Sequence, residues 1–189
     1  QGEELGLPEA DVPFEALQDP YGIAFWPNFK GRDGCRTPMP WQAAAQGGFT
    51  RGTPWLPVPA EHLALSVDAQ RADARSVLAT VQRFLAWRRT QPALVRGDIR
   101  FIDTPEPVLA FVRTLGGQRL FVAFNLSDAA VEIALPGIEA RALAVDGLAN
   151  GVLHEGRLRL PAYGSCYGEV TSIATAAAPA PVQPAMAGH

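Results

Sequence analysis

Apolar and polar positions change period twice along this chain, and each change predicts a different kind of structure. Residues 1–72 hold no period. Pro8, Pro13, Pro20, Pro27, Pro38, Pro40, Pro54, Pro57 and Pro59 interrupt the stretch. Proline removes an amide donor and clashes with the preceding turn, so no long helix is expected there, only short helical turns near Pro13–Leu17. From Asp73 onward Val77, Leu78, Val81, Phe84, Leu85 and Arg88 recur at helical spacing and make one apolar face. That predicts a helix over 74–90, capped by Asp73 or Ser76 and stopped by Pro92. After Gly97 the period becomes two. Strands are expected at Ile99–Ile102, Val108–Arg113, Arg119–Asn125, Val131–Leu135, Ala140–Val145, Arg157–Leu160 and Tyr163–Val170. Leu115-Gly116-Gly117-Gln118 fits a tight hairpin between two of them. Short strands with Gly and Pro turns between them argue for an antiparallel sandwich. From Ser172 the chain is rich in Ala and Pro with no amphipathic period, and is expected to be disordered.

A long loop, one helix and then only strands is an incomplete arrangement. The apolar face of the helix needs a partner that the loop is too polar to supply. The chain also opens on Gln1-Gly2-Glu3-Glu4 without a start methionine. Both features predict further polypeptide upstream.

Composition narrows the function classes. The net charge is -3, which offers nothing to nucleic acid or to an anionic membrane surface. No apolar run approaches the roughly 20 residues that a membrane-spanning helix needs. No leader sequence is visible, and the expected setting is cytoplasmic. Cys35 and Cys166 are the two cysteines, and two free thiols are expected. His62, His154 and His189 share no metal-ligand spacing, so each is expected to be structural or solvated. No metal and no cofactor are expected. Phosphate-binding loops, dinucleotide fingerprints and nucleophile elbows are missing from the sequence.

The richest stretch is Gly31-Arg32-Asp33-Gly34-Cys35-Arg36-Thr37-Pro38-Met39-Pro40-Trp41. Arginine presents a planar fork of donors that matches a carboxylate or a pair of sugar hydroxyls. Arg32 and Asp33 either meet a ligand or form an internal ion pair that holds the loop. Arg36 precedes Thr37-Pro38, which fixes its backbone, and is the better candidate for ligand contact. The aromatic residues Phe14, Tyr21, Phe25, Trp26, Phe29, Trp41 and Trp55 fit a sugar-stacking wall, or else the filling under a long loop. Glu3 and Glu4 are adjacent, so they point apart and make a poor acid–base pair.

Four strings together resemble the α-glucosidases of glycoside hydrolase family 13, the bacterial relatives of oligo-1,6-glucosidase. They are Gln1-Gly2-Glu3-Glu4-Leu5-Gly6-Leu7, Asp19-Pro20-Tyr21-Gly22, Phe25-Trp26-Pro27 and the Gly31–Trp41 loop. Phe84–Leu94 resembles their last barrel helix and its exit, and Val122–Ser127 a strand of their C-terminal β-domain. The resemblance implies an α/β plus all-β fold: the C-terminal remnant of a β/α barrel, followed by an antiparallel β-sandwich. Residues 1–96 would hold the loop after the eighth strand (1–72) and the last helix (74–90), residues 97–171 the sandwich, and 172–189 the tail. It implies retaining hydrolysis of a small α-glucoside, with the three catalytic acids on earlier strands outside this chain, so that the chain alone is inactive. It also implies a substrate-side role for Arg36, bracing by Arg32 and Asp33, and an approach of Asp19, Tyr21 and Phe25 to the leaving-group side. Cys35 and Pro40 depart from the commoner loop sequence. Rival readings are a transglycosylating relative, such as a sucrose isomerase or trehalose synthase, and a noncatalytic relative or sugar-binding module.

Overall fold

The computed structural model describes residues 1–173, which separate into two compact units. One is Gln1–Gln91 with Val145–Leu148, and the other is Pro92–Ala144 continuing from Ala149.

The first unit is built of short pieces. Single 3-10 turns occur at Glu3–Leu5, Phe14–Ala16, Asp33–Cys35 and Ala45–Gly48. Five-residue helices follow the prolines at α1 (Pro20–Ala24) and α2 (Ala60–Ala64), with α3 at Val67–Arg71. Pro20 sits at the first position of α1, where its missing amide costs nothing. The one long helix is α4, Val77–Arg89, capped by Ser76, whose Oγ accepts from the Ala79 amide at 3.1 Å. It is shorter at its start than the predicted 74–90, because Arg75 is held by an Asx turn from Asp73. No residue of α4 is buried, and Val77 and Leu85 keep 46% and 42% of their surface exposed.

A small apolar core and a buried polar junction organise this unit. Ala10, Val12, Leu17 and Leu56 cluster under the loop, with Ala16 and Trp26 against them. Buried Gln70 joins the first turn to α4: its Nε2 donates to the Leu5 carbonyl at 2.8 Å, and its Oε1 accepts from the Leu78 amide at 2.9 Å.

The second unit opens with α5 (Pro92–Arg96), so Pro92 stops one helix by starting another. Gln118 Oε1 accepts from the Ala93 amide at 2.9 Å and ties α5 to the sheet. Eight strands follow among the described residues: β1 (Asp98–Ile102), β2 (Val108–Leu115), β3 (Gln118–Asn125), β4 (Val131–Ala134), β5 (Ile138–Ala142), β6 (Val152–His154), β7 (Arg157–Leu160) and β8 (Ser165–Ile173). They form a five-stranded sheet in the order β1-β2-β3-β8-β5 and a three-stranded sheet in the order β4-β7-β6. All of these strand pairs are antiparallel. Leu115 faces Gln118 across the two-residue turn Gly116-Gly117, the hairpin predicted from the sequence.

Alternation makes the core. Val108, Ala110 and Val112 of β2, Phe121 and Ala123 of β3, and Cys166 and Val170 of β8 meet Leu153, Leu158 and Leu160 of the smaller sheet. The opposite face of the larger sheet carries a row of rings, Phe101, Phe111, Phe124 and Tyr167, with successive centroids 5.9–6.2 Å apart. Strand β6 has no counterpart among the expected strands. Expected Ala140–Val145 is displaced to Ile138–Ala142. β8 runs through Ser172 and Ile173, two residues past the expected start of the tail. The tail from 174 lies outside the described residues.

Candidate active-site loop

Two buried carboxylates hold the Gly31–Trp41 loop from within. Asp33 is fully buried, and its Oδ2 accepts from the Gln18 amide at 2.6 Å and the Asp19 amide at 2.7 Å. Asp19, 2% exposed, caps α1 by accepting from the Tyr21 amide through Oδ1 at 3.2 Å. Its Oδ2 accepts from both the amide and Nε of Arg32 at 3.0 Å. The Arg32 hydrogen bond holds the Asp19 carboxyl below its ordinary range, and Asp19 in turn raises Arg32. Glycine permits the close approaches that this needs. A Cβ on Gly34 would stand 2.4 Å from the Ala10 carbonyl oxygen, and Gly31 takes φ +76° beside Asp19.

Arg36 is displayed on this frame. Its amide donates to the Asp33 carbonyl at 3.0 Å, while its side chain is exposed and makes no hydrogen bond or ion pair among the described residues. Thr37 beside it is buried, with its carbonyl accepting from Gln1 Nε2. Cys35 is exposed and its Sγ donates to the Arg32 carbonyl. A cavity of about 210 Å³ adjoins this segment, lined among others by Gln1, Glu3, Pro8, Cys35, Thr37 and His62. A larger one, about 510 Å³, lies around Asp11, Asn28, Phe29 and Lys30, and touches the arginine loop only through Gly31 and Gly34.

The six candidate residues therefore divide. Asp33 and Asp19 present no usable surface to a ligand. Asp19 is engaged by two backbone amides and by the Arg32 side chain, and Oδ2 of Asp33 by two further amides, while Oδ1 of Asp33 is buried without a hydrogen-bond partner among the described residues. Arg32 pairs with Asp19 through Nε, yet 58% of its side chain is exposed. Arg36 is free, and Tyr21 and Phe25 are 63% and 57% exposed with near-parallel rings 6.4 Å apart. Trp26 is half-buried against Phe14, whereas Trp41 and Trp55 are exposed at 47% and 67%. Glu3 and Glu4 are exposed on the first turn. His62, expected from the sequence to be structural or solvated, is sealed beside Thr37, and Gln1 entered the sequence reading only as part of the opening string. Among the described residues no group of three or more His, Cys, Asp or Glu side chains could hold a metal ion. No helix among them is long and apolar enough to cross a membrane.

Residues 1–97 match the model of the α-amylase catalytic domain. The chain belongs to the α-amylase family, glycoside hydrolase family 13. Residues 108–166 match the C-terminal domain of the α-amylase SusG, in keeping with the two antiparallel sheets that follow the barrel segment in this family member. A probable α-glucosidase of Rhizobium meliloti is 47% identical over 88% of the chain, which spans 30% of that relative. An oligo-1,6-glucosidase of Parageobacillus thermoglucosidasius is 31% identical over 72% of the chain and 28% of its own length. Among solved structures, the α-glucosyl transfer enzyme XgtA superposes over 90% of the chain and 32% of its own, with 55% identity and a TM-score of 0.85. The trehalulose synthase MutB of Pseudomonas mesoacidophila superposes over 90% and 34%, with 26% identity and a TM-score of 0.74. The chain thus spans about a third or less of the length of these relatives.

Proposed function

We propose that this chain is the C-terminal part of a retaining α-glucosidase that releases terminal α-linked glucose from short α-glucosides, maltose-like or isomaltose-like. The division would be a barrel-end segment over 1–96, a β-sandwich from 97, and a tail. The observation that carries the reading is Arg36: an exposed guanidinium without a hydrogen bond or ion pair among the described residues, on a loop whose other charges, Arg32 and Asp33, are engaged by Asp19 and by backbone amides. A free planar cation on a braced loop is built to meet an oxygen-rich partner, either sugar hydroxyls or the carboxylate that steadies a glucosyl cation. Tyr21 and Phe25 offer a flat apolar platform to the leaving-group side, with Arg32 beside it. The nucleophile and the acid–base carboxylate belong to earlier barrel strands. The 47% identity to a probable α-glucosidase supports the reading.

The test is hydrolysis of 4-nitrophenyl α-glucoside by the full-length protein that carries this chain. α-Glucose is expected as the first product, with a loss of about 100-fold on Arg36→Ala and no turnover by the 189-residue chain alone. Activity untouched by Arg36→Ala would reject the role given to the loop. A second reading, glucosyl transfer to a sugar or another hydroxyl, is favoured by the 55% identity to an α-glucosyl transfer enzyme. Product analysis with sucrose and maltose separates the two. Isomerised or extended sugars accumulating ahead of free glucose would select transfer.

A further inference from the structure

His62 is the one buried ring in this unit whose two nitrogens both reach across the chain. The residue has no exposed surface, and Nε2 lies 2.9 Å from the Pro8 carbonyl oxygen. A carbonyl only accepts, so Nε2 carries the hydrogen. Nδ1 then offers a lone pair, and the Thr37 hydroxyl lies 3.4 Å away as its donor. Pro8 and Thr37 stand 54 and 25 residues from His62 in sequence, so no local structure would hold the three together. Thr37 is the neighbour of Arg36. The Arg36 backbone is therefore fixed from two sides: by the Asp33 carbonyl through its own amide, and by Thr37 through His62.

We propose that His62 is a positioning residue for Arg36. It sets the loop so that the guanidinium stands at a fixed place over the glucosyl pocket, and it does so through the Thr37 hydroxyl. The proposal rests on the reading of Arg36 given above. The requirement is for one acceptor facing Thr37 and one donor facing Pro8 on a rigid plane, which imidazole supplies in a single tautomer. Asparagine reproduces the inner nitrogen's position and keeps an acceptor for Thr37. Glutamine reproduces the outer position and keeps only the donor to Pro8.

The experiment measures kcat/KM for 4-nitrophenyl α-glucoside in the full-length protein. His62→Gln is expected to lose about 10- to 100-fold, the scale of a displaced binding group. His62→Asn is expected to stay within about threefold of the parent. With Arg36→Ala already present, His62→Gln is expected to cost no more than about twofold further, because residues that act through one another are not additive. Thr37→Val, which keeps the bulk and removes the hydroxyl, shows the same dependence on Arg36 and serves if His62→Gln does not fold. Equal losses with and without Arg36 would overturn the proposal, as would a His62→Asn variant as poor as His62→Gln. An Arg36→Ala variant with full activity would instead overturn the reading of the pocket itself, so the two failures are told apart.

Discussion

Removing the Asp33 carboxylate should loosen the loop from its inside. Its Oδ2 is the acceptor for two amides, Gln18 and Asp19, at 2.6 and 2.7 Å, and the residue is fully buried. A hydrogen bond to a charged group contributes about 1.5–3 kcal/mol. Asp33→Ala therefore removes about 3–6 kcal/mol of local stabilisation, an upper bound because water reaches part of the vacated site. Even half of the lower figure is about a tenfold change in an opening equilibrium, and the full lower figure about a hundredfold. The effect spreads along a chain of bonds, since Asp19, held by Asp33, in turn caps α1 and pairs with Arg32. Hydrogen exchange resolved to single amides in the full-length protein reads this directly. The Gln18 and Asp19 amides of Asp33→Ala are expected to exchange about 100-fold faster. Asp33→Asn, which keeps an acceptor oxygen and loses the charge, is expected near tenfold. The amides of β3 serve as a control and stay unchanged. Unaltered protection of Gln18 and Asp19 in Asp33→Ala would refute the bracing role.

Three further outcomes follow from burial. Leu158 is wholly enclosed between the sheets, so Leu158→Ala should destabilise the β-sandwich by about 2–5 kcal/mol in urea unfolding followed by far-UV circular dichroism. A loss under 1 kcal/mol would mean that the core is not packed as described. Burial pushes the Cys166 thiol up to about 11 from 9.0 and the Tyr167 phenol up to about 12 from 10.0. The unfolded chain ionises first on raising the pH, so this stability is intact below about pH 9 and falls away through pH 11–12. Cys166→Val should flatten the fall; an identical pH profile would contradict the assignment. A maleimide should label Cys35 alone in the folded chain and both cysteines in denaturant, and native labelling of Cys166 would contradict its enclosure.

The strands were legible because a two-sided sheet writes itself as alternation, and the Gly116-Gly117 turn because a two-residue hairpin demands it. The exceptions have physical reasons. β6 spans three residues, too few for any period, and exists through its pairing with β7. Helices α1, α2, α3 and α5 have five residues each, and no face recurs in so short a run. The start of β8 was expected two residues early because Tyr163 is apolar yet lies in a tight turn at φ +50°.

In the loop, residue type alone determined that charge and aromatic surface gather between Asp19 and Trp41, and the strings there sufficed to place the chain in its family. Type could not say which charges face inward. Asp33 and Arg36 are three residues apart and equally polar. One is sealed because backbone amides from a segment 14 and 15 residues away converge on it, and the other is displayed because none do. The partners of His62 could not be read, since they are 25 and 54 residues distant. Hydrophobic period is a local property and survives in one dimension. Satisfaction of buried polar groups is set by distances between remote segments, and only the folded chain fixes those.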